Sequence, residues 1–212
     1  QEWVQRHFLL HGVRTWNELR GTVCIEKEHL EKRKSICTSR SFAEMLEEES
    51  SLAERVSDFA ARCAEKLRSE GSAAKEVTVF LLSNRFRTDL PQYCPSETSV
   101  LDIASNSSQD IVSESLKILG RIYRPGYKYK KAGVIVTSLV DQDAVQIPLF
   151  GCDLEKRSRN EKLSRVMDRL NRKEKDLLRL ASQVEGNYAD GIRSEFRSRA
   201  FSTSLDDIIE VH

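Results

Sequence analysis

The chain has 212 residues, enough for one good-sized domain or a medium domain with appendages, and 39% hydrophobic residues are sufficient for a real core. With 34 basic and 33 acidic side chains the formal net charge is +1, so overall charge names no partner and its distribution must be read instead. No run approaches the roughly 18 apolar residues of a membrane span, and the opening QEWVQRHFLLHG lacks the charged-then-apolar layout of a secretory signal. The expected setting is the cytoplasm. Cys24, Cys37, Cys63, Cys94 and Cys152 are odd in number and include no C-x-x-C pair, which points to reduced thiols rather than a disulfide framework or a zinc site. The sequence opens without methionine inside a helical pattern, so a piece of a longer protein is expected.

From Gln1 to about Glu31, Trp3, Phe8, Leu9, Leu10, Val13, Trp16 and Leu19 recur at helical spacing, broken at Gly12 and closed at Gly21. From Lys32 to Val140 strand and helix signals alternate. Lys34 to Phe42 (KSICTSRSF) has the composition of a half-exposed strand. Ser51-x-x-Glu54 reads as a capping box opening a helix with Leu52, Val56, Phe59, Ala60, Cys63 and Leu67 on one face and Gly71 as its stop. Glu76 to Phe86 is apolar on both phases, as in a strand inside a sheet, and Ser99 to Ile103 is a further strand beyond the turn signals at Pro91 and Pro95. A second helix runs from Ser107 or Ser108 to Pro125-Gly126, and Lys130 to Val140 is the last strand. The order β-α-β-β-α-β predicts an α+β fold: a four-stranded sheet with two helices on one face and the other face open, plus a short N-terminal helical piece and a helical C-terminal extension.

Between an acidic and a strongly charged stretch lies an apolar island, Gln146-Ile147-Pro148-Leu149-Phe150. Pro148 lacks the donor that a helix interior or central strand needs. Ile147, Leu149 and Phe150 therefore either fold back onto the chain's own core or are kept for another protein's pocket. From Glu155 to Arg179 ten Lys or Arg stand against five Asp or Glu, with Leu163, Val166, Leu170, Leu177, Leu178 and Leu180 as the apolar stripe of a basic amphipathic helix. The last stretch, NYADGIRSEFRSRAFSTSLDDIIEVH, has weak structure signals and reads as a tail that orders on docking.

No catalytic constellation is visible: neither carboxylates converging on a metal pair nor a Ser or Cys beside an oriented base. His7 and His11 are four apart without the intervening acid of a zinc-protease motif, His29 and His212 stand alone, and no phosphate-cradling G-x-x-x-x-G-K-[ST] loop occurs. Basic and hydroxyl residues instead gather around the strands: Lys34, Ser35, Ser39, Arg40 and Ser41 on the first, Arg85 and Arg87 leaving the second, Lys128, Lys130 and Lys131 entering the fourth. They suit either nucleic-acid phosphates, read without base information, or a solvated polar face. Strict alternation puts Arg40 on the face of Ile36 and Phe42, so either a bulge shifts the phase or Arg40 leaves from an edge.

Three signatures, KSICTSRSF, the pair VTVFLLSNRF and YKKAGVIVTSL, and the late pieces MDRLNRKEKDLLRLASQ and FRSRAFSTSLDDIIEV, together resemble the C-terminal part of UmuC-type Y-family translesion DNA polymerases, across nearly the whole chain. The resemblance implies that residues 1–31 end a thumb, 32–140 form the little finger domain, 141–154 form a linker, and 155–212 form a basic helix and tail. It further implies that the open sheet face grips primer-template DNA through Lys34, Ser35, Ser39, Arg40, Ser41, Arg85, Arg87, Lys130 and Lys131, in salt-sensitive binding to about four to six phosphates. Polymerisation, with its palm carboxylates and Mg, would belong to the parent chain, and this piece would carry no catalytic residue and no cofactor of its own. QIPLF resembles the Gln-x-x-Leu-Phe motif for the bacterial sliding clamp, with Gln146, Ile147, Leu149 and Phe150 as contacts. A UmuD-like subunit and RecA are the further partners the resemblance implies. The tail departs from the family at Arg199, usually proline, and Phe201, usually tyrosine. The rival class is an RNA-binding or protein-interaction module of the same β-α-β-β-α-β order.

Overall fold

The computed structural model describes residues 1–24, 32–146, 153–173 and 177–183. Two compact units divide at Arg33 and Lys34.

Among the described residues the first unit holds helix α1 (Glu2–Leu19), kinked at Leu9, none of whose residues is buried. The break expected at Gly12 falls at Leu9, which takes the left-handed φ of 54°. Gly12 still matters, because a Cβ there would collide with the Cβ of Phe8. Trp3 stacks on His7 with centroids 4.4 Å apart, and Arg20 lies over Trp16 at 4.6 Å, as the helix closes at Gly21 (φ 82°).

The second unit holds the sheet. Its strands are β1 (Ile36–Leu46), β2 (Ser72–Ser83), β3 (Ser96–Ser105) and β4 (Tyr129–Asp141), in the spatial order β1-β4-β2-β3 with every pair antiparallel. Helices α2 (Glu49–Ser69) and α3 (Ser108–Ile122) cover one face, and α4 (Leu154–Lys173) follows after a short 3-10 turn at Gln142–Ala144. The predicted α+β fold is the one observed.

The core lies between the sheet and the two helices. Leu52, Val56, Phe59, Ala60, Cys63, Ala64 and Leu67 of α2, and Ile111, Val112, Ile118, Leu119 and Ile122 of α3, meet Val77, Val79 and Leu81 of β2 and Ala132, Val134 and Val136 of β4. Period-2 and period-3.6 patterns thus point at one volume, which is why both were readable. The Tyr129 side chain is fully buried. Its hydroxyl accepts from the Arg124 N–H at 3.1 Å and donates to the Arg124 carbonyl at 3.0 Å, closing the turn from α3 into β4.

Several boundaries differ from the sequence reading. Helix α2 begins at Glu49, so Ser51 is already helical and caps nothing; the cap position is Glu48, which makes no side-chain cap bond. An acidic residue in the first turn interacts favourably with the helix dipole in place of the cap. Ser107 does cap α3, accepting from Asp110 N–H at 3.5 Å. Strand β1 starts at Ile36 rather than Lys34 and continues to Leu46, with a register shift between Ser41 and Leu46. Ser138 takes a left-handed φ of 53° where β4 would meet a longer β1, and the ladder ends at Ile36 opposite Val136.

Helix α4 also differs. Of the apolar stripe, Leu163 and Val166 are 46% and 41% exposed and Leu170 is half-buried. The docked side carries polar contacts: Arg157 donates to the Ala104 carbonyl at 3.3 Å, Ser164 is buried, and Asp168 takes a fork from Arg68. The helix stops at Lys173, and of the stripe residues beyond it Leu180 packs against the core.

Candidate nucleic-acid interface

Among the described residues no helix covers the second face of the sheet, and its side chains follow from the registers. One cross-strand row runs Ser41, Lys131, Leu82; the next runs Ser39, Gly133, Phe80, Ser96; the next Cys37, Ile135, Thr78, Thr98. The row beyond holds Thr137, Glu76 and Val100, with the Thr137 hydroxyl donating to Glu76 at 2.8 Å. Thr78 and Thr98 hydroxyls pair at 2.8 Å. Gly133 leaves room for the Phe80 ring to lie across its backbone, and Lys131 Nζ stands 6.0 Å from that ring's centroid. The face is therefore mixed: the hydroxyls of Ser39, Ser41, Thr78, Thr98 and Thr137 stand among Leu82, Phe80, Ile135 and Val100, with Lys131 toward one end. Strand β1 is an edge strand, so alternate backbone N–H groups point away from the sheet beside it.

The structure sorts the residues named from sequence. Ser39, Ser41 and Lys131 come together on the open face. Lys34 and Ser35 lie exposed just ahead of β1. Arg40 pairs with Ala132, on the helix-covered side, and no bulge precedes it; being exposed on the edge strand, it leaves past the rim. Of the two readings of its phase, the edge is the observed one. Lys130 is the extra residue at a register shift in β4, and its Nζ donates to the Ala43 carbonyl at 2.9 Å, across the irregular stretch of β1. Gln146 is exposed, while Ile147, Leu149 and Phe150 lie outside the described residues.

Arg85 and Arg87 sit on the loop between β2 and β3. Arg87 is forked onto Asp89 at 2.8 and 2.6 Å, and that hydrogen bond holds the Asp89 carboxyl down at about 2. Half of the expected charge of this loop is thus already engaged. A residue the sequence reading missed organises the loop. The Gln92 amide nitrogen faces the carbonyls of Asn84, Arg87 and Leu90 at 3.1, 2.9 and 3.1 Å, while its oxygen accepts from the Ser83 hydroxyl at 2.8 Å. No periodicity marks such a residue; only its place among turn formers hinted at it. Burial opposes ionisation of the neighbouring Cys94 thiol, but bonds from Ser83 and the nearby Arg85 outweigh it and lower its pKa.

Among the described residues no group of three His, Cys, Asp or Glu could hold a metal ion, and no helix is long and apolar enough to cross a membrane. The four described cysteines are free thiols. What the geometry offers is surface: an open sheet face with hydroxyls and a cation, an edge strand with outward amides, and a basic rim.

A family model described as the impB/mucB/samB family C-terminal domain matches residues 33–149, more than half of the chain. The chain belongs to the impB/mucB/samB family. Its family domain contains the whole sheet with α2 and α3, and a second model, described as a domain of unknown function, matches residues 161–211, beginning within α4. Protein UmuC of Salmonella typhimurium is 33% identical over 211 residues, covering 98% of this chain and 49% of the relative. Protein ImpB of Salmonella typhimurium is 30% identical over 206 residues, and Protein MucB of Escherichia coli 32% over 207, covering 97% of this chain and 48% of each relative. The UmuC-type resemblance drawn from the motifs is therefore shown, and the chain spans about half the length of the curated relatives it matches.

Proposed function

We propose that this impB/mucB/samB domain is the little finger of a UmuC-like Y-family translesion polymerase in SOS repair, holding primer-template DNA on its open sheet face. The observation that carries the reading is that face itself: Ser39, Ser41 and Lys131 in adjacent rows, uncovered, beside an edge strand. Such groups hold phosphates without reading bases. Lys34, Ser35, Arg85 and Lys130 extend the tract along the rim, Arg40 contributes from the edge, and Arg87 does so only when released from Asp89. Nucleotidyl transfer, with its Mg, is assigned to the other half of the parent. Gln146 to Phe150 serves as a cytoplasmic tether to the sliding clamp, and a UmuD-like subunit and RecA are the further partners of the parent.

A salt titration of primer-template binding by the purified chain tests the grip. Four to six neutralised phosphates give a log-log slope of about −4 to −5; a slope indistinguishable from zero rejects the reading. Phe80 favours a second reading, since aromatics on an open sheet face are how RNA-recognition modules stack bases. Competition separates them: duplex DNA displaces single-stranded RNA on the first reading, and the reverse holds on the second.

A further inference from the structure

The polar docking of α4 leaves another side of that helix with no assigned role. Arg165, Arg169 and Arg172 follow one another at i, i+4 and i+7 and share a cavity of about 340 Å³ with Asn106, Gln142 and Arg68. Two acids also line it, and each is engaged: Asp168 by the fork from Arg68, and Glu161 by Arg165 at 2.5 Å. Arg169 and Arg172 are exposed and have no ionic partner among the described residues. The ledge therefore keeps two uncompensated guanidinium groups beside the neutral donors and acceptors of Asn106 and Gln142.

Guanidinium forks match phosphate oxygens two bonds at a time, which an ammonium does not. Four residues of helix rise about 6 Å, so Arg165 and Arg169 stand about as far apart along the axis as successive phosphates of one strand. The lining is polar, with no apolar anchor pocket of the sort that holds a protein partner. We infer that Arg165, Arg169 and Arg172 form a second phosphate-binding surface, which takes a nucleic-acid strand outside the sheet. This inference rests on the chain working on nucleic acid, as proposed above, but not on which face of the sheet does so.

The test compares the full 212-residue chain with Arg169→Ala/Arg172→Ala, Arg169→Lys/Arg172→Lys and Lys131→Glu. Each is titrated with salt against a single-stranded oligonucleotide and against a primer-template duplex. Loss of two phosphate contacts shallows the log-log slope by about 1.4 on single strands or about 1.8 on duplex, and whichever substrate shows the loss is the one that reaches the ledge. The lysine pair keeps most of the slope, and melting temperatures stay unchanged because neither arginine has an ionic partner among the described residues. An alanine pair with the wild-type slope on both substrates overturns the inference. A normal slope for Lys131→Glu beside a shallow one for the alanine pair would reject the sheet-face reading while leaving the ledge standing.

Discussion

Arg68 and Asp168 meet fork to fork, Nε to Oδ2 at 2.6 Å and Nη2 to Oδ1 at 2.7 Å, while Arg68 Nη1 donates to the Asn106 carbonyl at 2.7 Å and to Ser108 Oγ at 3.0 Å. One side chain thus ties α2, the start of α3 and α4 together. The two partners are only 11% and 17% exposed, so removing one leaves the other charge poorly solvated. Breaking a fully buried pair costs about 3–5 kcal/mol; residual exposure lowers the expectation for Arg68→Ala to about 2–3 kcal/mol in urea denaturation. Hydrogen exchange should show α4 amides losing protection while β2 and β4 keep theirs. Arg68→Lys restores little, since an ammonium cannot make the planar fork. Unchanged α4 protection in Arg68→Ala would mean that the fork does not hold the helix.

That fork also explains what was and was not legible in the sequence. Val56, Cys63 and Leu67 announced α2, and Val77, Val79 and Leu81 announced β2, because burial against a single core imposes a period on each. Nothing periodic announces a contact between residues 100 positions apart, and the apolar spacing of α4 does not reveal that the helix docks through Arg157 and Asp168. The open sheet face was foreseen, but Arg40 could not be placed without knowing that the irregularity in β1 comes after Ser41. Gln92 was invisible for a similar reason: its amide serves a loop whose carbonyls converge only in three dimensions.

Gly133 should be the least replaceable position on the open face. A Cβ there would collide with the Phe80 ring and stand 2.5 Å from the Ser39 Cβ. The ring can swing away, but the Ser39 Cβ is fixed to its strand, so β1 must shift. Gly133→Ala is expected to lose about 1–3 kcal/mol, the usual cost of overpacking. Adding Phe80→Ala should recover part of that loss and no more, since the Ser39 contact remains. Full recovery in thermal melts would show that the ring alone was the obstacle.

The Arg87–Asp89 fork makes a prediction about pH and about binding. The hydrogen bond from Arg87 is the main cause that lowers the Asp89 carboxyl from 3.8 to about 2. With the folded value depressed, the contribution is present above the unfolded value and fades as pH falls from about 4 through 2. The pair lies at the surface, its side chains 50% and 59% exposed, so the fading should be visible as a carboxyl titration by NMR with a midpoint near 2, and barely in the melting temperature. Arg87→Ala should return the midpoint to the ordinary range. Asp89→Asn frees the guanidinium, and on the proposed function it steepens the salt slope for primer-template DNA by up to about one. An unchanged slope would remove Arg87 from the DNA-binding tract.

Two thiols of the second unit, Cys63 on α2 and Cys94 in the loop ahead of β3, should behave oppositely. Burial raises the pKa of Cys63, whose thiol donates toward Thr38 Oγ1 at 3.2 Å and the Val134 carbonyl at 3.6 Å, whereas that of the exposed Cys94 is lowered. Because the thiolate is the nucleophile, an alkylating reagent at pH 8 should label Cys94 first and Cys63 only at the rate of unfolding. Burial likewise raises the Tyr129 phenol. For both raised groups the stabilisation is full below the unfolded value, about 9 for the thiol and about 10 for the phenol, and is lost as pH rises toward the folded one. Stability measured by urea denaturation should therefore stay flat near neutrality and decline above pH 9, and Cys63→Ser should not abolish the decline, because Tyr129 remains. A Cys63 that labels as fast as Cys94 in the folded chain would contradict the buried thiol and its bond to Thr38.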